Sequence, residues 1–335
     1  MKNGFLMHLA AKIRRNKLKW RVASAMLAAI ALLFAFQGFT RADDDDDHNH
    51  DATAITTCGF PITHSGRYFI DKDLSQCAGI IVSIPLSDVK LELRGHTIVG
   101  DQSNPVISVD GGGTVISNVE IAGPGTVTGG TTGIKLQDVH NSRVHNLVVV
   151  ENLDDGITVN TSIPINVSAA STETNHHDNQ FYDNVVTGNR VNGITLTGEV
   201  NDEFRNNVVS GNSSDGIALT NGMNDEFRGN AVTANLINGI TVTGGSDNEF
   251  RDNTVTANFI TGIELDSSSG NSVIHNNLSG NAGGDGLVLS NAMNSVVRRN
   301  TADSNFIGIY QVGGSGNSFQ DNTALGNSSA DLLGI

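Results

Sequence analysis

Apolar and polar residues alternate with a period of two after a recurring glycine. The chain reads G-I-T-L at Gly193, G-I-A-L at Gly216, G-I-T-V at Gly239, G-I-E-L at Gly262 and G-L-V-L at Gly286. Such alternation predicts short strands with one buried face. The glycines Gly133, Gly156, Gly193, Gly216, Gly239, Gly262, Gly286 and Gly308 mark one register of a repeat. A second register is apolar: Phe181, Phe204, Phe227, Phe250, Val273, Val297 and Phe319. Two asparagine series keep the same step, Asn184, Asn207, Asn230, Asn253, Asn276, Asn300 and Asn322, and Asn189, Asn212, Asn235, Asn258, Asn281, Asn305 and Asn327.

A period of 22 to 24 residues marks a solenoid, each repeat forming one turn stacked on its neighbours. Three short segments per repeat, separated by Asn, Gly and Ser, are too short for helices and poor in helix formers. Three strands and three turns use this many residues, and each strand then pairs in parallel with its counterpart one turn away. The expected fold is all-β, a single-stranded parallel β-helix of about ten coils of 22–28 residues, roughly 50 Å long at ~4.8 Å per coil. A carboxamide carries donors and an acceptor, so stacked asparagines can satisfy turn backbone that water does not reach. The phenylalanines are expected to stack inside the cylinder. The glycines are expected where φ is positive or backbones approach closely.

Units such as Asn248-Glu249-Phe250-Arg251-Asp252-Asn253, running on to Gly262-Ile263, resemble the right-handed parallel β-helix repeat. That repeat occurs in pectate-lyase-like proteins, in the carbohydrate-binding and sugar-hydrolase domain family, and in a periplasmic protein of nitrous-oxide reductase maturation. The resemblance spans residues 133 to 335 and is looser from 79 to 132. It implies the right-handed coil, as does the usual hand of parallel crossovers.

Residues 1–42 have the layout of a secretory signal: a basic segment, the uncharged run VASAMLAAIALLFAF, then Thr40-Arg41-Ala42. An exported protein, periplasmic or extracellular, is the expectation, with membrane contact only through an uncleaved leader. The leader holds eight of the twenty Lys and Arg and no Asp or Glu, which leaves 12 basic against 35 acidic residues, a net −23. That charge argues against a nucleic-acid partner. Residues 43–57 read as a disordered acidic arm, whose His48, His50 and Asp51 are candidate metal ligands. The β-helix is assigned to 58–335, opening with an N-terminal cap at 58–78. In an exported chain, Cys58 and Cys77 read as one disulfide stapling that cap, contributing about 3 kcal/mol. Leu332, Leu333 and Ile335 fall where another strand begins, and an open apolar edge there suggests self-association.

Insertions in a solenoid mark candidate sites. The step from Gly156 to Gly193 is 37 residues, and the extra length lies at 161–178. Asp154, Asp155, His176 and His177 are therefore the candidate catalytic residues, with His140, His145 and Asp178 as candidate ligand-binding neighbours. Carboxylates and imidazoles together can act as acid and base or hold Ca²⁺ or another divalent cation, although no cofactor is required. Arg205, Arg228 and Arg251, flanked by Glu203, Glu226 and Glu249, form outward charged columns able to hold an extended polymer.

Catalytic patterns of the resembling families are fragmentary here. Asp154-Asp155 and Gly95-His96 are pieces of the polygalacturonase set, its arginine-isoleucine-lysine segment is missing, and so is the aspartate-proline-histidine-aspartate signature of alginate epimerases. The leading expectation is an exported, non-catalytic module binding an extended polysaccharide or a cell-surface partner. The alternatives are a divergent polysaccharide lyase, glycoside hydrolase or uronan epimerase, and a periplasmic metal-handling protein.

Overall fold

The computed structural model describes residues 52–75, 78–79, 82–162, 177–281 and 283–335. Asp43–Ile335 forms one compact unit. The leader, His48, His50, Asp51, Cys77 and His176 lie outside the described residues. Cys58 packs against the core, and its pairing with Cys77 remains an expectation from sequence. Among the described residues no helix is long and apolar enough to cross a membrane.

The expected solenoid is what forms. Three parallel sheets run the length of the repeats. Sheet A has twelve strands, from Thr53–Ile55 to Ser318–Gln320, and sheet B has twelve, from Phe60–Pro61 to Ala330–Leu333. Sheet C has seven, from Thr97–Val99 to Thr254–Thr256, and continues as single bridges through Asn277, Thr301 and Thr323. One coil runs Glu203–Arg205 in sheet A, Val208–Ser210 in sheet C and Ile217–Thr220 in sheet B. Each residue pairs with its counterpart one repeat on, as Phe204 with Phe227 and Ile217 with Ile240.

Period-two alternation decides what faces the interior. Ile217 and Leu219 are buried while Ala218 and Thr220 are half-buried. Phe181, Phe204, Phe227 and Phe250 stack with ring centroids 4.6, 4.9 and 4.9 Å apart. Val273 and Val297 continue that file, so Phe319, paired with Val297, is a half-buried end of it rather than part of the ring stack.

Asparagine files close two of the three corners. Between sheets A and C, the Asn207 backbone N–H and its Nδ2 both donate to Asn230 Oδ1, at 2.9 and 3.0 Å. Asn230 Nδ2 in turn donates to Phe204 O at 2.8 Å and to Asn253 Oδ1 at 3.0 Å. Between sheets C and B, Asn189, Asn212, Asn235 and Asn258 repeat the pattern. The glycine file proves to be a matter of close approach, because none of its members has positive φ. A Cβ on Gly216 would meet Val232 Cγ1 at 2.4 Å, Asn235 Nδ2 at 2.6 Å and Gly239 O at 2.7 Å. Positive φ falls instead on the residue before each A–C corner asparagine, such as Asp183, Asn206, Gly229 and Asp252. Short polar side chains and glycine tolerate that conformation.

Replacing Asn230 with Ala should strand the Asn207 N–H and the Phe204 carbonyl, costing about 1–3 kcal/mol for each. Gly216→Ala should cost about 1–3 kcal/mol or more by overpacking against backbone. Urea denaturation of each variant against the parent checks both, and an exposed control such as Thr220→Ala should stay within about 0.5 kcal/mol.

Candidate active face and buried corner

The third corner, between sheets B and A, carries its own file of side chains: Ser142, Asn179, Asp202, Asp225, Asn248 and Asn271. The backbone N–H of each donates to the side-chain oxygen of the next, for example Asn179 to Asp202 Oδ1, Asp202 to Asp225 Oδ1 and Asp225 to Asn248 Oδ1, all at 2.9 Å. Two aspartates thus stand in a ladder otherwise built from one serine and three carboxamides. In its neighbours the amide nitrogen has a fixed job: Asn248 Nδ2 donates to Gly222 O at 3.1 Å and Asn179 Nδ2 to Val139 O at 2.9 Å. Asp225 has an oxygen in that place. Its Oδ2 is buried with no partner among the described residues.

Glu199 departs from its file as well. The positions stacked below it are Gly222, Gly245 and Ser268, linked through the bonds from Met223 to Glu199 O, Ser246 to Gly222 O, Ser269 to Gly245 O and Met293 to Ser268 O. The Glu199 carboxylate is buried, bonds to Asp202, and lies 2.7 Å from His177 Nδ1. The same Nδ1 lies 3.2 Å from the Val200 N–H. One ring nitrogen cannot both accept from that N–H and donate to a carboxylate. His140 stacks on His177, centroids 4.7 Å apart. His177, Glu199 and Asp202 bring their donor atoms within 4.8 Å of one another, so this corner is also the candidate metal centre.

Burial raises the carboxyl pKa values here. Glu199 and Asp202 are pushed up by desolvation, Asp202 further by the charges of Glu199 and Asp225. Asp225 is pushed up to about 7, again by burial.

Directly beside this corner lies the outer face of sheet A. Seven of the twelve Lys and Arg beyond residue 42 sit on its strands: Arg67, Lys90, Arg143, Arg205, Arg228, Arg251 and Arg298. The strands of sheet B carry only Lys135, and those of sheet C none. One outward file runs Ala122, His145, Tyr182, Arg205, Arg228, Arg251. The His145 ring stacks on Tyr182 at 4.6 Å and 4°, and the Arg205 guanidinium covers Tyr182 at 4.9 Å. His145 Nε2 and Lys90 Nζ both reach Glu120 Oε1, at 3.2 and 3.1 Å. Asn146 holds His145 Nδ1 at 3.0 Å. Those contacts, His145 foremost, hold the Glu120 carboxyl down to about 2 against partial burial. Burial and the Glu120 charge raise the Tyr182 phenol, so it stays protonated at neutral pH.

Among the described residues, the structure brings His140 and His177 together but not Asp154 or Asp155 with them. Asp155 lies at the C–B corner, at the opposite end of strand Ile157–Asn160 from His177, about 13 Å away at ~3.3 Å per residue. Its Oδ1 accepts the Asn192 N–H at 2.8 Å and heads another turn file through Asn192, Asp215 and Asn238. These bonds are turn chemistry, shared by every member of the file. Asp154 is exposed at the same corner. Asp178 is exposed at the B–A corner with φ 51°. His145 belongs to the sheet A face, not to the corner with His140 and His177. Arg205, Arg228 and Arg251 form the expected file, each paired to a carboxylate: Arg205 to Glu203 at 3.7 Å, Arg228 to Asp252 at 3.9 Å, Arg251 to Glu249 at 3.3 Å.

The model of the right-handed β-helix region matches residues 58–232 and 168–324. The chain belongs to the right-handed β-helix family. Comparison with curated proteins finds no match. Among solved structures, the β-helix is similar to the A-module of mannuronan C-5 epimerase AlgE6 of Azotobacter vinelandii, with TM-score 0.60, 16% identity and coverage of 81% of this chain and 80% of that one. It is similar to the A-module of AlgE4 of the same organism, with TM-score 0.55, 16% identity, and 82% and 78% covered. It is also similar to an alginate lyase of Paenibacillus sp. str. FPU-7, with TM-score 0.50, 12% identity, and 79% and 99% covered. At such identities the likeness establishes the fold.

Glu199, Asp202 and Asp225 were not singled out from sequence. The signal was available: Asn179, Asp202, Asp225, Asn248 and Asn271 recur with the same step of 23 as the two recognised asparagine series. Because its folded pKa lies above 3.8, Asp225 keeps extra protons on the folded β-helix between 3.8 and about 7. Stability of the metal-free protein should therefore fall as pH rises through that window. Asp225→Asn, which completes the amide ladder, should flatten that fall and raise stability at pH 8 by about 1–3 kcal/mol. Urea melts at pH 5 and pH 8 in chelator test it.

Proposed function

We propose that this exported β-helix acts on an extended acidic polysaccharide lying along the outer face of sheet A, with the His145–Tyr182 pair at the reacting unit. The stacked imidazole and phenol beneath the Arg205 guanidinium carry the proposal. The net charge of the chain repels a polyanion, but its cations are gathered on this one face, where Arg205, Arg228 and Arg251 stand one coil apart. That spacing of ~4.8 Å is close to the length of a sugar unit and repeats along a straight line. The similarity to proteins described as a mannuronan epimerase and an alginate lyase supports the same substrate class.

The chemistry follows from the groups present. A proton α to a uronate carboxylate becomes acidic when guanidinium groups neutralise that carboxylate, the role of Arg205 and Arg228. His145, released from Asn146 or Glu120 as the substrate docks, takes the proton. Tyr182, stacked beside His145 on the same side of the polymer, then supplies one to the departing glycosidic oxygen, and the outcome is β-elimination. Epimerisation would need the proton delivered from the opposite face of the sugar, by a group other than Tyr182. The regular pairing of the arginine file with carboxylates favours the second reading, a module that binds the same polymer without turnover.

Alginate and polygalacturonate, incubated with the protein in D₂O, distinguish these. Epimerisation appears as deuterium at C5, elimination as ultraviolet absorbance of an unsaturated end. Tyr182→Phe keeps the stacked ring and should lower kcat at least 100-fold with binding retained, within the usual range of general acid catalysis, about 10²–10⁴. Arg205→Ala should weaken binding about tenfold, the order of one charged hydrogen bond at ~1.5–3 kcal/mol. Binding without turnover would leave the module; no binding of either polymer would overturn both.

A further inference from the structure

We propose that the corner between sheets B and A is a binding site for one divalent transition cation of the zinc class, liganded by His177 Nδ1, Glu199 and Asp202, with Asp225 beneath them. Nothing in the polysaccharide proposal requires this site, and it uses none of the same side chains.

Three independent observations converge. First, the donor set exists: an imidazole nitrogen and two carboxylates, all buried, lie within 4.8 Å of one another. Second, Asp225 Oδ2 is fully buried, lacks a partner among the described residues, and occupies the place where neighbouring coils present an amide donor to a carbonyl. By register the equivalent carbonyl is Glu199 O, to which an aspartate oxygen cannot give the bond that the amide gives in the neighbouring coils. Third, His177 Nδ1 is asked to serve both the Val200 N–H and Glu199 Oε2. A cation among these oxygens removes each conflict: it takes the imidazole lone pair, separates Glu199 from it, and gives Asp202 and Asp225 a common counter-charge.

The local sequence departs from the repeat in the direction a cation requires. The Glu199 file continues as Gly222, Gly245 and Ser268, and the Asp202 file, apart from Asp225, holds Ser142, Asn179, Asn248 and Asn271. Glycine, serine and asparagine would fill these places with no buried charge. Two buried carboxylates beside one imidazole, with a third buried carboxylate one coil on, are costly unless paired, and burying an unpaired charge is the most expensive substitution a core can carry. The imidazole selects the metal. Calcium takes oxygen ligands, whereas zinc accepts a mixed nitrogen and oxygen set at about 2.0–2.2 Å. The site lies at the corner that leads into strands Gln180–Tyr182 and Glu203–Arg205, so the cation would brace the start of those two sheet A strands.

The test uses the full exported chain, unfolded and refolded in zinc chloride, manganese chloride, calcium chloride or chelator. Metal content is then measured after chelator dialysis, which strips metal weakly held by the carboxylates and imidazoles of His48–Asp51. One retained zinc per chain and a melting temperature several degrees above the chelator-refolded sample are expected, with no response to calcium. Asp202→Asn should abolish both retention and the zinc-dependent rise. Should that variant fail to fold, Glu199→Gln must give the same loss. No retained metal in the parent protein, or equal retention in parent and Glu199→Gln, would overturn the site.

Discussion

Everything in this fold depends on satisfying turn backbone at three corners that water does not enter. Each coil presents its corner N–H and C=O groups to the coil above and below, and an unpaired one costs about 1–3 kcal/mol. The carboxamide solves this with a single side chain. Its oxygen accepts a backbone N–H and an amide N–H from the coil before, and its nitrogen donates to a carbonyl and to the next amide, as Asn230 does. The solution works only if the same residue stands at the same place in every coil. The 23-residue period is therefore a consequence of hydrogen-bond satisfaction as much as of core packing.

Once the corners are locked, strand register follows and so does the sorting of side chains. Glu203 and Arg205 point out because Phe204 points in, and the same holds one coil down at Glu226, Phe227 and Arg228. A polar face with fixed ~4.8 Å spacing is thus obtained without any residue selected for position individually. What can vary is the chemistry of each rung. His145, Tyr182 and Arg205 occupy successive rungs of one file, and their stack is as much a product of the ladder as the phenylalanine stack beneath it.

Architecture was legible in sequence because it is written many times over. Phe204, Asn207, Asn212, Gly216 and Ile217 recur in coil after coil, so chance cannot imitate them. The glycine file shows where sequence stops short: recurrence said that Gly216 was required, but only coordinates separate a positive φ from a blocked Cβ. The site was less legible for the opposite reason. Asp155 drew attention as an acid beside an insertion, yet it belongs to a recurring turn file, whereas His145 and Tyr182 are separated by 37 residues and still pair directly in adjacent coils. Sequence distance from an insertion is a poor guide when the coil on each side is held in register.

Departure from a file is the more informative signal. A repeat sets its own expectation for every position, so Glu199 among Gly222, Gly245 and Ser268 can be weighed against residues that demonstrably fit the same cavity. The same comparison applied to Asp155 gives an ordinary residue, since Asn192 and Asn238 share its file and its bonding. Applied to Arg228 it also gives an ordinary residue, with Arg205 and Arg251 on either side. Among the described residues, only at the B–A corner do two adjacent files deviate together, both toward negative charge, beside His177. A solenoid can dilute one unfavourable rung among many satisfied ones, which is why such a cluster can be held inside a cylinder whose remaining corners are so regularly paired.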